Sequence, residues 1–474
     1  MENLWSIDSW RQKHATHLPE YSDPDAVEAV QNILMTKAPI VVPAECSRLQ
    51  RYLAAASEGK MFVIQCGECA ESFAGPSIAD LRITLATMRT MGDLISYGTG
   101  REFVLIGRMA GQLAKPRSAD TEETSEGRIL TYRGDIINGS EPTSSARIPD
   151  PWRMVEAYHY STCTMNLARS IAFEIGKETS SNVTAAVLDA ASKHMPEAAQ
   201  FLAEFNRARR YSNVPSRAHF PSSNEFFSSH EALLLPYEQA MTRWDENTEK
   251  WYSASAHMLW VGERTRSPRG AHVEFLRGIS NPIGIKCGPT MTSDQLSELL
   301  DVLDPTNEPG RISLIVRAGA RHVADSLARL ATAVKAEGRR VVWLSDPMHG
   351  NTRQSKAGLK TRRLDEILSE LRDFARALRG ADEIPGGVHL EMTGLNVTEC
   401  VGGSSAIDES QLHQRYLTLC DPRLNGVQAI DVARHVAISG NVGMWKAPED
   451  ITGDVHEISG AISNPYSDSG NGHG

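Results

Sequence analysis

The fold is indicated most clearly by Ile312-Ser-Leu-Ile-Val-Arg-Ala-Gly319 together with Arg340-Val-Val-Trp-Leu-Ser-Asp346. Each segment is a short β-branched run that ends in a charged residue, and the two runs are separated by a helix-like stretch. Strands that alternate with helices favour parallel βα units. In a closed barrel of such units the active site lies at the carboxyl ends of the strands, so the charged residues after each run are the candidates for function.

The same pattern extends outward along the chain. An amphipathic helix is predicted over Leu364–Leu378, and the last six runs follow one another at short intervals, as in consecutive βα units. Eight runs give a complete (β/α)8 (TIM) barrel of class α/β. The predicted strands are Met61–Gln65, Glu102–Ile106, His257–Val261, Pro282–Ile285, Ile312–Val316, Arg340–Leu344, Gly387–Leu390 and Tyr416–Leu419.

The rest of the chain surrounds this barrel. Residues 1–60 are predicted to form an N-terminal arm and a helix over Asp25–Met35, and residues 61–436 to form the barrel. A helical insertion after the second strand, at about 150–245, is expected from helical patterns in Trp152–Ile175, Thr184–Asn206 and His230–Arg243. Residues 437–474 are expected to be a divergent, partly disordered tail because they end in a polar, glycine-rich segment.

Composition narrows the class of function. The 474 residues carry a formal net charge of −10, which disfavours nucleic acid or an anionic membrane as a partner. The N-terminus has neither a basic segment nor an apolar segment of the signal-peptide type, and no apolar run could span a bilayer. Seven scattered cysteines suit reduced thiols better than a disulfide framework. These features predict a cytoplasmic protein.

The residues that follow the runs form two chemical sets. One set is a thiol, an imidazole and two carboxylates, a mixture that suits a catalytic divalent transition metal better than a structural zinc site. Its members are Cys69, His349, Glu391 and Asp421. The other set is cationic and predicts binding of phosphate and carboxylate groups. Its members are Arg108, Lys115, Arg117, Arg264, Arg266, Lys286 and Arg317. A metal beside anion-binding cations indicates Lewis-acid chemistry on a phosphorylated small molecule.

Each of these residues alone also fits a solvated loop charge. The Cys66-Gly-Glu-Cys69 segment lacks a second CxxC motif for zinc and lies outside a thioredoxin-like context. The sequence contains no GxGxxG or P-loop motif, so it indicates no nucleotide cofactor.

Several longer motifs resemble those of class II 3-deoxy-D-arabino-heptulosonate 7-phosphate (DAHP) synthases, in order from about Trp10 to about Val436. They include Gly67-Glu-Cys-Ala-Glu-Ser-Phe73, Gly107-Arg-Met-Ala-Gly-Gln112, Ala114-Lys-Pro-Arg-Ser118, Tyr132-Arg-Gly-Asp-Ile-Ile-Asn138, Ser229-His-Glu-Ala-Leu233, Gly262-Glu-Arg-Thr-Arg266, Asn281-Pro-Ile-Gly-Ile-Lys286, Asp346-Pro-Met-His-Gly-Asn-Thr352, Gly394-Leu-Asn-Val-Thr-Glu-Cys-Val-Gly-Gly403 and Cys420-Asp-Pro-Arg-Leu-Asn425.

The resemblance implies a metal-dependent, aldol-like condensation of phosphoenolpyruvate with erythrose 4-phosphate at the entry to the shikimate pathway. It implies ligation of Mn²⁺ or Co²⁺ through Cys69, His349, Glu391 and Asp421. It implies a phosphoenolpyruvate site at Arg108, Glu263, Arg264, Lys286 and Arg317, and an aldose phosphate loop at Lys115, Pro116, Arg117 and Ser118. Lys115, Lys286, Arg264 and His349 are the expected catalytic residues. A homodimer or higher homo-oligomer and a chorismate mutase partner are further expectations.

The chain also departs from the family pattern. A cysteine, Cys66, stands where the family usually has glycine, so a Cys66–Cys69 redox pair is one hypothesis and a buried apolar filler role for Cys66 is its alternative. The insertion over 184–214 is diverged, and Met444-Trp445 and the residues after them match no family motif. The sequence leaves open a paralogue that uses a modified aldose phosphate, such as an aminoDAHP synthase, and a non-catalytic regulatory relative. The intact metal quartet argues against the latter.

Overall fold

Eight parallel strands close into one barrel, and each pairs with the strands before and after it in the sequence. The computed structural model describes residues 5–124, 127–177, 225–441 and 443–445. The barrel strands are β1 (Met61–Gly67), β2 (Glu102–Arg108), β3 (Phe227–Glu231), β4 (Met258–Val261), β5 (Ile283–Cys287), β6 (Ile312–Val316), β7 (Val341–Ser345) and β8 (Pro385–Glu391). The predicted (β/α)8 architecture is confirmed.

One predicted strand was wrong, and one real strand was missed. Tyr416–Leu419 lies in a loop, so the eighth barrel strand is the run that contains Gly387–Leu390. The third strand, Phe227–Glu231, lies within the range assigned to a helical insertion, where His230–Arg243 was expected to be helical. Its sequence, Phe-Ser-Ser-His-Glu, gives no apolar run because the barrel interior satisfies its polar groups: Gln65 donates to Ser229 Oγ at 2.9 Å.

The side chains of the strands alternate between two apolar layers, as expected for a barrel. Val63, Val104 and Val342 belong to the interior cluster, whereas Phe62 and Ile64 belong to the larger cluster with the surrounding helices. The helix over Pro43–Ser57 contributes Leu49 and Leu53 to the interior cluster and so covers the amino ends of the strands.

Ten helices are described, and no described helix is long and apolar enough to cross a membrane. They are α1 (Pro24–Met35), α2 (Pro43–Ser57), α3 (Ile78–Thr99), α4 (Arg153–Lys177), α5 (Leu235–Met241), α6 (Ala271–Leu276), α7 (Ser293–Leu303), α8 (Val323–Ala336), α9 (Leu364–Gly380) and α10 (Gly426–Asn441). The helices predicted over Asp25–Met35, Trp152–Ile175 and Leu364–Leu378 correspond to α1, α4 and α9. The helix predicted over Thr184–Asn206 lies outside the described residues.

Short hairpins and 3₁₀ helices fill the connections. Hairpins pair Thr121–Thr124 with Gly127–Leu130, Thr242–Asp245 with Lys250–Ser253, and Arg353–Gln354 with Lys360–Thr361. The 3₁₀ helices span Ser9–Gln12, His349–Asn351 and Glu409–Gln414. The third of these hairpins brings Lys360 to the carboxyl ends of the strands, beside the predicted site.

The first and last residues that the structure describes, Trp5 and Trp445, pack on the barrel layer. In the N-terminal arm, Trp5 Nε1 donates to the Glu274 backbone oxygen at 3.0 Å. Beyond the family motifs, Trp445 is fully buried and its ring stacks on Phe374 at 5.9 Å between centroids. The start of the predicted tail therefore contributes to the core, and the division at 60/61 and 436/437 stays a prediction.

Candidate active site

Three of the four predicted metal ligands converge at the carboxyl ends of β1 and β8. One ligand atom each from Cys69, Glu391 and Asp421 lies within 4.8 Å of the other two. Cys69 follows β1, Glu391 is the last residue of β8, and Asp421 comes from the loop between β8 and α10. Asp421 thus follows a loop segment and not the strand that was expected just before it. This loop returns along β8, where Leu424 N donates to the Glu391 backbone oxygen at 3.0 Å.

The fourth predicted ligand, His349, lies beside this group without joining it fully. Its Nε2 is 3.1 Å from Glu391 Oε1, and its Nδ1 is 2.8 Å from Asp346 Oδ2. An Nδ1–H that donates to Asp346 leaves the Nε2 lone pair directed toward the group, which is the arrangement that metal-ligating histidines adopt.

The charge state of these groups follows from what surrounds them. Burial alone would raise the pKa of Glu391, but the permanent cations around it, Lys115, Arg362 and Arg108, hold it well below its usual value. Arg108 and Arg362 contact its two oxygens at 2.9 and 2.8 Å. Burial likewise works against ionisation of Asp421, yet Lys115 lowers the pKa of that carboxyl. Both carboxylates are therefore ionised as hard ligands.

The nitrogen and sulfur members are neutral. Burial lowers the pKa of His349, so its imidazole is neutral and able to ligate. Burial, followed by a hydrogen bond with the Cys420 thiol, raises the pKa of Cys69 well above its usual value. A metal ion has to replace the thiol proton, as metal binding by cysteine requires.

A cation already lies in the middle of this group. Lys115 Nζ is 2.9 Å from Cys69 Sγ, 3.2 Å from Glu391 Oε1 and 2.9 Å from Asp421 Oδ2. The donor set of one thiol, one imidazole and two carboxylates fits a divalent metal ion, and the thiol and both carboxylates already contact one positive charge.

A pocket opens beside these ligands. Cys69 and Glu391 are buried beneath it, and it is lined by the predicted site residues Arg108, Lys115, Pro116, Arg117, Ser118, Glu263, Arg264, Lys286, Arg317, His349 and Asp421. Arg266 does not line the pocket and pairs with Glu263 at 2.7 Å. The structure thus brings the predicted cations and ligands together at one end of the barrel. A separate cavity, lined by Arg11, Tyr21 and Gln239 among others, contains none of the predicted site residues.

Lys286 is one of the deeply buried cations of the pocket. Its Nζ is 2.6 Å from Asp346 Oδ2 and 2.7 Å from His389 Nε2, and it lies 5.7 Å from the centre of the Trp260 ring. Burial lowers its pKa to about 8, against the opposing effect of Asp346. Asp346 therefore contacts both Lys286 and His349, so one carboxylate joins the cation region to the ligand group.

Glu263 orders the loops that follow β4, β5 and β6 beside the pocket. It accepts a hydrogen bond from the Gly288 N–H at 2.7 Å and lies 3.8 Å from Arg317 Nη1. A Cβ atom at Gly288 would lie 2.7 Å from the Glu263 carboxylate, so only glycine lets the two loops approach. This contact ties the ends of β4, β5 and β6 together.

Some residues of the site were missed from the sequence. Trp260, Lys360 and Glu231 line the pocket, and Lys360 Nζ is 2.8 Å from Asp421 Oδ1. Glu231 ends the missed strand β3, and its Oε1 has no hydrogen-bond partner among the described residues. The motif Ser229-His-Glu-Ala-Leu233 was the available signal for Glu231.

Cys66 and Cys69 point into different surroundings. Cys66 belongs to the apolar cluster between barrel and helices, and burial raises the pKa of its thiol to about 12. The thiol that interacts with Cys69 belongs to Cys420. The structure favours the filler role for Cys66, in the helix layer rather than in the barrel interior.

Comparison with known proteins gives one consistent answer. The sequence profile described as the Class-II DAHP synthetase family matches residues 5–437. The chain is 43% identical over 434 residues to the phospho-2-dehydro-3-deoxyheptonate aldolase of Streptomyces coelicolor, which covers 90% of this chain and 96% of the relative. It is 41% identical over 452 residues to the phospho-2-dehydro-3-deoxyheptonate aldolase AroG of Mycolicibacterium smegmatis, which covers 91% of this chain and 94% of that relative.

Proposed function

Because this chain belongs to the class-II DAHP synthetase family, we propose that its pocket condenses phosphoenolpyruvate with D-erythrose 4-phosphate and water, giving DAHP and inorganic phosphate. The enzyme is a metal-dependent transferase that supplies the entry reaction of the shikimate pathway. The observation that carries this function is that the ionised ligand group and the cations meet at one pocket.

Cys69, His349, Glu391 and Asp421 are the residues we assign to the divalent metal, with Mn²⁺ or Co²⁺ as the expected ions. The mixture of ligand types and the two ionised carboxylates support this assignment. When bound, the metal supplies Lewis acidity toward the aldehyde oxygen of the sugar phosphate.

Phosphoenolpyruvate is assigned to Arg108, Glu263, Arg264, Lys286 and Arg317. Arginine forks match phosphate and carboxylate groups, whereas the lysine is a point charge. The Trp260 ring lies 5.3 Å from the Arg108 guanidinium carbon and 5.7 Å from Lys286 Nζ, within the range of favourable cation–π interactions. Fixed cations in such a site act mainly by positioning and by preorganised charge.

The aldose phosphate is assigned to the loop Lys115, Pro116, Arg117 and Ser118, with Lys360 nearby, since Lys115 and Lys360 both contact Asp421. Lys115 contacts the residues assigned to the metal and also lines the pocket, which supports an aldose site beside those residues. Its proximity supports the assignment of the aldehyde to this side and of phosphoenolpyruvate to the Lys286 side.

The reaction then follows from this arrangement. C3 of phosphoenolpyruvate attacks the aldehyde carbon, and water adds to C2, where positive charge develops. The resulting phosphohemiketal loses inorganic phosphate. Lys286, with a pKa of about 8, is the pocket cation best suited to exchange a proton with this water near neutral pH. Arg264 supplies fixed positive charge at the phosphoenolpyruvate site, and His349 helps to keep the reacting groups in orientation.

The test is phosphate release from phosphoenolpyruvate with Mn²⁺ and a panel of aldose phosphates that includes amino sugar phosphates. Erythrose 4-phosphate is expected to give the highest kcat/KM. A higher value for an amino sugar phosphate would assign the chain to the modified-aldose alternative, and no release with any member would contradict the function. Oligomeric state and a chorismate mutase partner stay predictions, to be tested by ultracentrifugation of the enzyme alone and with the mutase.

A further inference from the structure

Glu370 is a buried carboxyl group outside the pocket. It lies on α9 in the layer of helices, yet its side chain is completely buried and directed beneath the loops that follow β6 and β7. Burial raises its pKa to about 8, although the hydrogen bonds that it accepts from Gly319 and Asn351 favour the ionised form. No cation forms an ion pair with it among the described residues, so its location is set by hydrogen bonds.

These hydrogen bonds come from two different loops. Glu370 Oε1 accepts from the Gly319 N–H at 2.9 Å, and Oε2 accepts from Asn351 Nδ2 at 2.6 Å. Asn351 Oδ1 in turn accepts from the Ala320 N–H at 3.0 Å, and its Nδ2 also donates to the Pro347 backbone oxygen at 2.8 Å. Glu370 and Asn351 therefore join the loop after β6 to the loop after β7.

The two loops touch directly at a pair of glycines. A Cβ atom on Gly350 would lie 2.3 Å from Gly319 N, and a Cβ atom on Gly319 would lie 2.8 Å from the Gly350 oxygen. Gly319 also has φ +84°, which side-chain-bearing residues rarely adopt. The loops therefore have one close-packed arrangement, and the Glu370 network holds them in it.

Each loop carries a residue of the site two positions from this network. Arg317 precedes Gly319, and His349 precedes Asn351. We propose that Glu370 is a positioning residue that fixes the phosphoenolpyruvate cation Arg317 relative to the metal ligand His349 through Gly319 and Asn351. This inference rests on the proposed function, because that function assigns Arg317 and His349.

A carboxyl group is required there for a geometric reason. Two N–H donors converge on its two oxygens, whereas the glutamine amide has a single oxygen and would direct its own NH₂ at one donor. Rotating the Asn351 amide to accept from that NH₂ would deprive the Ala320 N–H of its acceptor. Glu370→Gln therefore leaves one mismatched pair wherever the amide is placed.

The experiment measures binding rather than turnover alone. Calorimetry gives the Kd of Mn²⁺ for chelator-treated protein and the Kd of phosphoenolpyruvate for the Mn²⁺-loaded enzyme, and kinetics gives the KM of erythrose 4-phosphate. Glu370→Gln is expected to weaken both Mn²⁺ and phosphoenolpyruvate by about tenfold, the lower end for residues that orient metal ligands. The KM of erythrose 4-phosphate is expected to change less than about twofold, since Lys115–Ser118 lie on another loop.

Matched variants separate positioning from general destabilisation. Glu366→Gln, one turn earlier on α9, should leave both Kd values unchanged. Combining Glu370→Gln with Asn351→Asp restores a donor–acceptor pair, since the new amide on α9 then donates to the new carboxylate on the loop after β7. The combination should therefore recover part of both losses. Half-buried Asn351→Ala serves as the second test if Glu370→Gln does not fold.

The outcomes are distinct. Unchanged Kd values for both ligands in folded Glu370→Gln, or in Asn351→Ala, would overturn the positioning role, even if the melting temperature falls. Arg317→Ala tests the premise: if it leaves the phosphoenolpyruvate Kd unchanged, the proposed site is wrong. If Arg317→Ala weakens binding and Glu370→Gln does not, only the positioning role is lost.

Discussion

Two cations assigned to phosphoenolpyruvate should respond differently to removal because they differ in burial. The Arg317 side chain is 23% exposed, and its nearest carboxylate oxygen, on Glu263, is 3.8 Å away. The Lys286 side chain is 5% exposed and 2.6 Å from the completely buried Asp346. We therefore compare Arg317→Ala with Lys286→Ala.

Both variants should weaken phosphoenolpyruvate binding. A charge-assisted hydrogen bond to a bound anion contributes about 1.5–3 kcal/mol. At 1.4 kcal/mol per decade this is roughly a tenfold to hundredfold rise in Kd. Only Lys286→Ala should also lower the free energy of unfolding, by about 3–5 kcal/mol, because it leaves the buried Asp346 with one cation fewer.

The assay combines phosphoenolpyruvate Kd by calorimetry with urea unfolding, and exposed Arg321→Ala is the matched control. The control should change neither quantity. An Arg317→Ala protein with an unchanged Kd would refute the assignment of Arg317. A Lys286→Ala protein as stable as the wild type would refute the inference that Asp346 depends on this ion pair.

Three further predictions concern the metal, pH and oxidation. Chelator-treated protein should lose phosphate release, and Mn²⁺ or Co²⁺ should restore it; full activity in demonstrably metal-free protein would contradict the ligand assignment. The lowered pKa of Lys286 is about 8, so its ammonium group is charged below that pH and neutral above it. The phosphoenolpyruvate Kd should therefore rise above pH 8, by up to about tenfold per pH unit. This rise should be absent from Lys286→Arg. The loss of activity in peroxide, reversed by a thiol reductant, should be the same in Cys66→Gly as in the wild type. Cys420→Ser should reduce this loss because the Cys420 thiol interacts with Cys69. Protection by Cys66→Gly would instead support the Cys66–Cys69 pair.

The sequence predicted most of the barrel because seven of its strands contain a short, buried run of mainly apolar residues. Ile312–Val316 and Val341–Ser345 are buried along their whole length, and such continuous apolar runs identify strands in parallel sheets. The strand β3 was not predicted because its polar residues form hydrogen bonds inside the barrel. For example, the Ser229 hydroxyl donates to the Gly107 backbone oxygen at 3.1 Å. Those partners come from β1 and β2, more than a hundred residues earlier, so no local pattern contains them.

The same distinction applies to the site. Residues such as Lys286 and Glu391 were found because each lies near the end of an apolar run. Lys360 and Arg362 were not, because the short hairpin that carries Lys360 has no apolar pattern and reaches the pocket only through tertiary packing. The sequence identified site residues that follow a recognisable apolar run or lie in a family motif, but it did not identify residues such as Lys360, which only tertiary packing brings to the pocket.

The two chemical sets read from the sequence are one electrostatic unit in the fold. Arg108 contacts Glu391 at 2.9 Å, and Lys115 contacts both Glu391 and Asp421, so the cations that face the substrates also keep the ligand carboxylates ionised. Buried carboxylates without such partners would take up protons, which would block a metal and leave the cations unbalanced. Substrate site and ligand group therefore stabilise each other's charge state, and this explains how an acidic protein buries so many cations at one end of its barrel.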